Sequence, residues 1–265
     1  MADEYLVDAA EYTYRPFEHQ GFSGGLLLAT PKRADRPRLL VKHEMPCSAC
    51  CEFMYSRLAQ ELQLPVAEAF LMKVSAKDEK RFKTPYVVGI TYLEGLQRFS
   101  LEEVQQSPQL VHEYAGHYAL AAMFGQADLV QMSRTPSGHI LSFDFTDCFR
   151  LGDLCNVTMF QNTDLFLEPY LIHILSAFNR EDFSLWLNAG ESVVRKHLGE
   201  ECFTSMAVGA YHDTLKRFCL IPEHRITEIA EVLDKIYPVQ ISVYFEEYAK
   251  ILKRKIRYYF KTLSP

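Results

Sequence analysis

The sequence predicts an α+β fold in two lobes, an antiparallel sheet carrying one helix over residues 1–99 and a mainly helical lobe over residues 100–265. Two observations lead there. Short apolar runs bounded by turn residues dominate the first hundred positions, and apolar residues at helical spacing dominate the rest. The pattern changes at Phe99-Ser100, where the lobe boundary is placed.

Each element has its own local reason. Gly24 to Ala29 and Arg38 to Lys42 are apolar strand candidates, separated by the turn-rich stretch Thr30 to Pro37. Ala49 to Leu62 carries Phe53, Leu58 and Leu62 among good helix formers, and the Leu64-Pro65 step ends it. Ala67 to Val74 and Pro85 to Leu93 read as two further strands, split by the charged turn Ala76 to Arg81. Ser100 with Glu103 three residues on is a capping box, so a helix starts there. Pro108 opens the next helix, Gln109 to Phe124, whose Leu110, Tyr114, His117, Leu120 and Ala121 share one face. A hairpin follows, Leu129 to Ser133 and His139 to Phe145 around Thr135-Pro136-Ser137-Gly138. The remainder reads as helices over Leu165 to Ala177, Glu181 to His197, Glu201 to Leu220, Glu223 to Ile236 and Val239 to Leu263.

Composition narrows the function classes. Hydrophobic residues are 48% and charged residues 23% of 265, which suits a folded globular chain and not a disordered one. A net charge of −6 argues against general nucleic-acid or acidic-membrane binding, yet leaves room for an anionic nucleotide met by a few local donors. No apolar run reaches the ~18 residues that a membrane span needs, and Met1-Ala2-Asp3-Glu4 does not open a secretory signal, so the expected setting is the cytoplasm. Seven cysteines without framework spacing are then expected as reduced, mostly buried thiols. Cys47, Cys50 and Cys51 with His43 lack the second ligand pair of a structural zinc site, and no local signature marks Cys148 or Cys155 as a nucleophile. In the last helix, Tyr244, Phe245, Tyr248, Ile251, Leu252, Ile256, Tyr259 and Phe260 form an apolar stripe expected on the core, with Lys250, Lys253, Arg254, Lys255, Arg257 and Lys261 left in solvent.

Two residues stand out as candidates for chemistry. Lys42 ends the run Leu39-Leu40-Val41-Lys42, where its stem can lie on the sheet while its ammonium reaches a cleft and phosphates. Glu52, early in the following helix, can pair with it; otherwise both are ordinary surface residues. Asp144 lies in Phe143-Asp144-Phe145, at the end of a strand that otherwise reads as buried, where a carboxylate wants a partner or a cation. Asp128 begins the same hairpin, so the two carboxylates can face one Mg²⁺ with phosphate oxygens; otherwise Asp128 caps a loop and Asp144 is a turn residue.

Strand Lys42, helix Glu52 in Cys51-Glu52-Phe53-Met54-Tyr55, the phrase Leu62-Gln63-Leu64-Pro65-Val66-Ala67-Glu68 and the hairpin ending Phe143-Asp144-Phe145 together resemble the HipA-like kinases, relatives of the protein and phosphoinositide kinases, over roughly residues 20–150. The resemblance implies a protein-kinase-like fold and an ATP- and Mg²⁺-dependent phosphotransferase, with a protein serine or threonine as acceptor. It makes Lys42 the phosphate-contacting lysine, Glu52 its partner and Asp144 the metal-binding aspartate. Tyr92, Leu93 and Glu94 fall at the inter-lobe hinge that meets adenine, and Gly21, Gly24 and Gly25 fall in the phosphate-covering loop. The chain departs from the family around Gly125-Gln126-Ala127-Asp128. Either Asp128 orients the acceptor hydroxyl, with Ser133 at the family's asparagine position, or the loop is shortened and Asp128 replaces the asparagine as second metal ligand. The second alignment keeps the hairpin strand and leaves no conventional catalytic aspartate, so the alternative function is a nucleotide-binding or inactive pseudokinase acting by protein interaction. An adaptor presenting its basic C-terminal helix is a third.

Overall fold

The computed structural model describes residues 5–18, 25–43, 46–75, 82, 86–126, 130–151, 168–198, 201–237 and 239–263. The strands are β1 (Leu6–Asp8), β2 (Tyr12–Pro16), β3 (Leu27–Pro31), β4 (Leu39–His43), β5 (Ala69–Lys73) and β6 (Tyr86–Thr91), with α1 (Pro46–Glu61) between β4 and β5. They form one sheet in the order β1-β5-β6-β4-β3-β2. Then come α2 (Leu101–Gln105), α3 (Pro108–Phe124), the hairpin β7 (Gln131–Arg134) and β8 (Ile140–Phe143), and α4 (Glu168–Arg180), α5 (Ser184–Leu198), α6 (Glu201–Leu220), α7 (Glu223–Ala230) and α8 (Ile241–Leu263). The expected succession of sheet and helices is present, with the capping box at Ser100 and Glu103 starting α2.

Four features differ from expectation. Strands β1 and β2 precede the first predicted one, and β1 pairs with β5 in parallel, so the sheet is not purely antiparallel. β1 is three residues long and has no period to read. The helix expected over Glu223 to Ile236 stops at Ala230, and a 3₁₀ turn, Leu233–Lys235, carries the chain on. Lys253, expected in solvent with the other cations of α8, is 2% exposed and bonds to the Ile221 carbonyl and, at 3.0 Å, to Glu223, where it satisfies backbone at the end of α6. Cys47 is disulfide-bonded, contrary to the expectation of thiols throughout, while Cys50, Cys51, Cys148 and Cys219 are thiols. Burial raises the pKa of Cys50 and Cys219. Among the described residues no group of three or more His, Cys, Asp or Glu could hold a metal, and no helix is long and apolar enough to cross a membrane.

The two-residue period of the strands sorts the sheet into two apolar faces. Ala69, Leu71 and Val88 face α1 and join the main core, which runs without a break from α1 through α3 to Tyr244, Tyr248 and Tyr259 of α8. Leu39, Val41, Phe70, Met72 and Val87 belong to a smaller cluster on the other face, with Val7, Tyr12 and Phe82. Lys42 stands opposite Val88 in the ladder, so the alternation that buries Val41 turns Lys42 toward α1.

The hairpin is fastened from three sides. Gln97 and Arg134 exchange two backbone hydrogen bonds (2.9 and 2.8 Å), and Val66 bridges Ser142. From α3, Glu113 accepts the Ile140 N–H at 2.7 Å and meets His139 Nδ1 at 2.7 Å. One turn on, His117 is wholly buried, with Nε2 3.2 Å from the Ile140 carbonyl and Nδ1 2.7 Å from the Ser142 hydroxyl. A carbonyl can only accept, so Nε2 carries the proton and Nδ1 accepts from Ser142. The ring is satisfied as a neutral imidazole, and burial lowers its pKa from 6.5 to about 4. The unfolded chain therefore takes up a proton that the folded one refuses, and stability is complete above pH 6.5 and lost as the pH falls from there toward 4. This group should cost about 3 kcal/mol of unfolding free energy over that range. Urea unfolding of wild type and His117→Gln at pH 7 and pH 4 reads it: the acid loss should be smaller in the variant by that amount, and equal losses would refute the assignment.

Candidate functional site

The site is built where β4, α1 and the end of β8 meet. Lys42 extends its ammonium between two carboxylates, paired with Glu52 of α1 on one side and 2.8 Å from Asp144 Oδ1 on the other. The three differ in access. The Lys42 side chain is 13% exposed, Glu52 1% and Asp144 40%. Glu52 is therefore an interior counter-ion that fixes the lysine, and Asp144 is the carboxylate a ligand can reach.

Asp144 is the first residue beyond β8 and has φ 71°, a left-handed conformation that aspartate tolerates better than most residues. That kink separates it from its neighbour: Phe145 turns inward, 2% exposed, and stacks on Tyr55 of α1 with ring centroids 3.4 Å apart and planes 8° from parallel. An apolar anchor one residue away thus sets the carboxylate at the mouth.

Two amides that the sequence reading passed over complete the surroundings. Gln131, the first residue of β7, donates from Nε2 to Asp144 Oδ2 at 2.9 Å. Gln126, just past α3, donates from Nε2 to the Asp144 backbone carbonyl at 3.2 Å. Gln126 is 7% exposed, and its Oε1 has no hydrogen-bond partner among the described residues. Gly125 makes this placement possible, since its φ of 63° ends α3 and turns the chain toward the hairpin. The sequence carries no signal for Gln131, whose role follows from the register that sets it across from Phe143 at the open end of the hairpin.

The other predicted site residues fall as follows. The Tyr92 N–H donates to the Arg38 carbonyl at 2.9 Å and is used within the fold. The Tyr92 ring lies between Phe17, 5.6 Å between centroids, and the Arg38 guanidinium, 5.2 Å away. Arg38 also pairs with Glu94 at 2.6 Å. Gly25, with φ 77°, precedes β3. Gly21, Gly24 and Asp128 lie outside the described residues.

This arrangement sits on a fold already known in a solved structure. The chain shares its fold with a kinase. One match is to the crystal structure of a Helicobacter pylori proinflammatory kinase, CtkA, with a TM-score of 0.54 and 13% identity, covering 97% of this chain and 94% of that one. No protein-family model matches the sequence. No curated protein matches it either.

The ion pair at the centre of the site makes a stability prediction. Lys42→Met would leave the Glu52 carboxylate charged and enclosed, which costs about 3 kcal/mol. Adding Glu52→Gln removes the stranded charge, so the double variant should recover at least half of that loss in denaturant unfolding. A double variant no more stable than Lys42→Met would show that the carboxylate is not stranded.

Proposed function

We propose that the chain is a nucleotide-dependent phosphotransferase of the kinase type that uses ATP with Mg²⁺. One observation carries the reading: a strand lysine held by a buried helix glutamate faces a strand-end aspartate, on a fold shared with a solved kinase over nearly its whole length. Phosphoryl transfer needs positioning and charge neutralisation more than covalent chemistry by the protein, and each of these residues suits one part. Lys42 would meet phosphate oxygens, kept extended by Glu52. Asp144, exposed and hard in its donor oxygens, fits Mg²⁺ bound to those phosphates. The amide N–H groups of Leu93 and Glu94 are the proposed contacts for the base, and Gly24 and Gly25 the proposed approach to the phosphates. Asp128 is kept as the proposed second carboxylate. The resemblance suggests a protein hydroxyl as acceptor.

A second reading has its own observation. Among the described residues, the side chains that reach Asp144 from the helix end and the hairpin start are amides, Gln126 and Gln131. An amide can orient a hydroxyl but cannot take its proton at neutral pH, so with Asp128 as a metal ligand and not a base, transfer would be slow or the chain a nucleotide-binding pseudokinase that acts by protein interaction.

Thermal unfolding with and without millimolar Mg-ATP tests the nucleotide site. Wild type should gain several degrees through linkage, while Lys42→Met/Glu52→Gln and Asp144→Asn gain little. No shift in the wild type would remove the nucleotide reading. Where a shift is seen, transfer of radiolabel from ATP to protein separates the kinase from the pseudokinase.

A further inference from the structure

Both oxygens of the Asp144 carboxylate are engaged by side chains of the protein. Oδ1 meets the Lys42 ammonium at 2.8 Å and Oδ2 accepts the Gln131 amide at 2.9 Å. Both arms carry protons, so both present to the carboxylate what a cation would otherwise supply. Lys42 is held from behind by Glu52, and Gln131 comes from the first position of β7, which the register fixes across from Phe143. The carboxylate is nonetheless 40% exposed and so within reach of solvent ions. Directly behind it, Gln126 is more than nine-tenths buried and keeps an amide oxygen without a partner among the described residues, an acceptor unmatched at the back of the same site.

We propose that Gln131 is a positioning residue that, with Lys42, keeps Asp144 closed to divalent cations until a nucleotide arrives. The proposal rests on the nucleotide reading for what opens the clamp: phosphate oxygens compete for the Lys42 ammonium, release Oδ1 and bring the cation with them. Cation and nucleotide then bind with positive coupling, and the cation alone binds weakly. A side chain that is a ligand and one that is a cover make opposite predictions. Deleting a ligand weakens cation binding, and deleting a cover strengthens it.

Mn²⁺ binding without nucleotide, followed by the electron paramagnetic resonance signal of the free ion, decides between them. Gln131→Leu exchanges neutral for neutral at an exposed position, so it is expected to fold and leaves the charge of the site unchanged. It should bind Mn²⁺ about tenfold more tightly than wild type, the scale of one hydrogen bond to a charged group. Lys42→Met/Glu52→Gln also preserves net charge and should tighten Mn²⁺ by a similar factor. Adding Asp144→Asn to either background should return the affinity to the wild-type level or below. Weaker or unchanged Mn²⁺ binding in Gln131→Leu would overturn the proposal, as would tightening that survives Asp144→Asn. The nucleotide reading fails separately, by the absence of a Mg-ATP shift in a wild type whose Gln131→Leu variant still gains Mn²⁺ affinity.

Discussion

Two strands of four residues each do not hold together in water, so β7 and β8 stay paired because other elements hold them. The holding is mostly polar and mostly buried. Glu113 and His117 stand four residues apart on α3, on one face, and reach successive groups of β8: the Ile140 amide, the Ile140 carbonyl and the Ser142 hydroxyl. Single backbone bridges to Val66 and Gln97 tie down one position on each outer edge, which opposes slippage of the ribbon. The position of Asp144, and with it everything proposed for the site, depends on this fastening.

Beyond Asp144 the support changes character. Phe145 stacks on Tyr55, Tyr55 meets Phe124 edge-on at 5.6 Å, and Phe124 packs against Phe149 at 4.5 Å. Phe149 in turn lies against Phe245 and Tyr248 of α8. The hydroxyls of Tyr244 and Tyr248 close the chain by bonding to the Phe149 and Met123 carbonyls at 2.6 and 3.0 Å. The helix whose basic face suggested a partner surface thus does much of its work inward, bracing from its stripe of rings the segment that follows the site aspartate. Phe149 and Arg150 both have positive φ, conformations unfavourable for bulky residues, and this bracing opposes the strain.

The parts legible in the sequence were those with a local cause. A short apolar run led to Lys42, a capping box marked Ser100, Pro108 opened α3, and an acid sat beside two phenylalanines. Each needs only neighbours in the chain. What escaped was set by pairing across long separations: β1 gains its identity from β5, some sixty residues on, and Lys253 is buried because the Ile221 carbonyl and Glu223 need it. Gln131 escaped for the same reason, since a glutamine at a strand start carries no charge to draw notice and acquires meaning only through the register with Phe143. The resemblance directed attention to carboxylates, whereas the described groups that contact Asp144 are an ammonium and two amides.

That composition bears on electrostatics. One lysine between two carboxylates leaves the trio with a net negative charge, and burial of Glu52 confines the surplus to the exposed oxygen pair of Asp144. A triphosphate approaching alone would meet Lys42 favourably and Asp144 unfavourably at nearly the same point. A divalent cation approaching alone would meet an ammonium already in place. In the proposed complex the two together would give each group an opposite charge: phosphate on Lys42, cation between phosphate and Asp144, and Glu52 unchanged behind the lysine. On the proposed reading, such a site would favour the cation–phosphate pair over either ion, and that preference would come from where one buried carboxylate places its lysine.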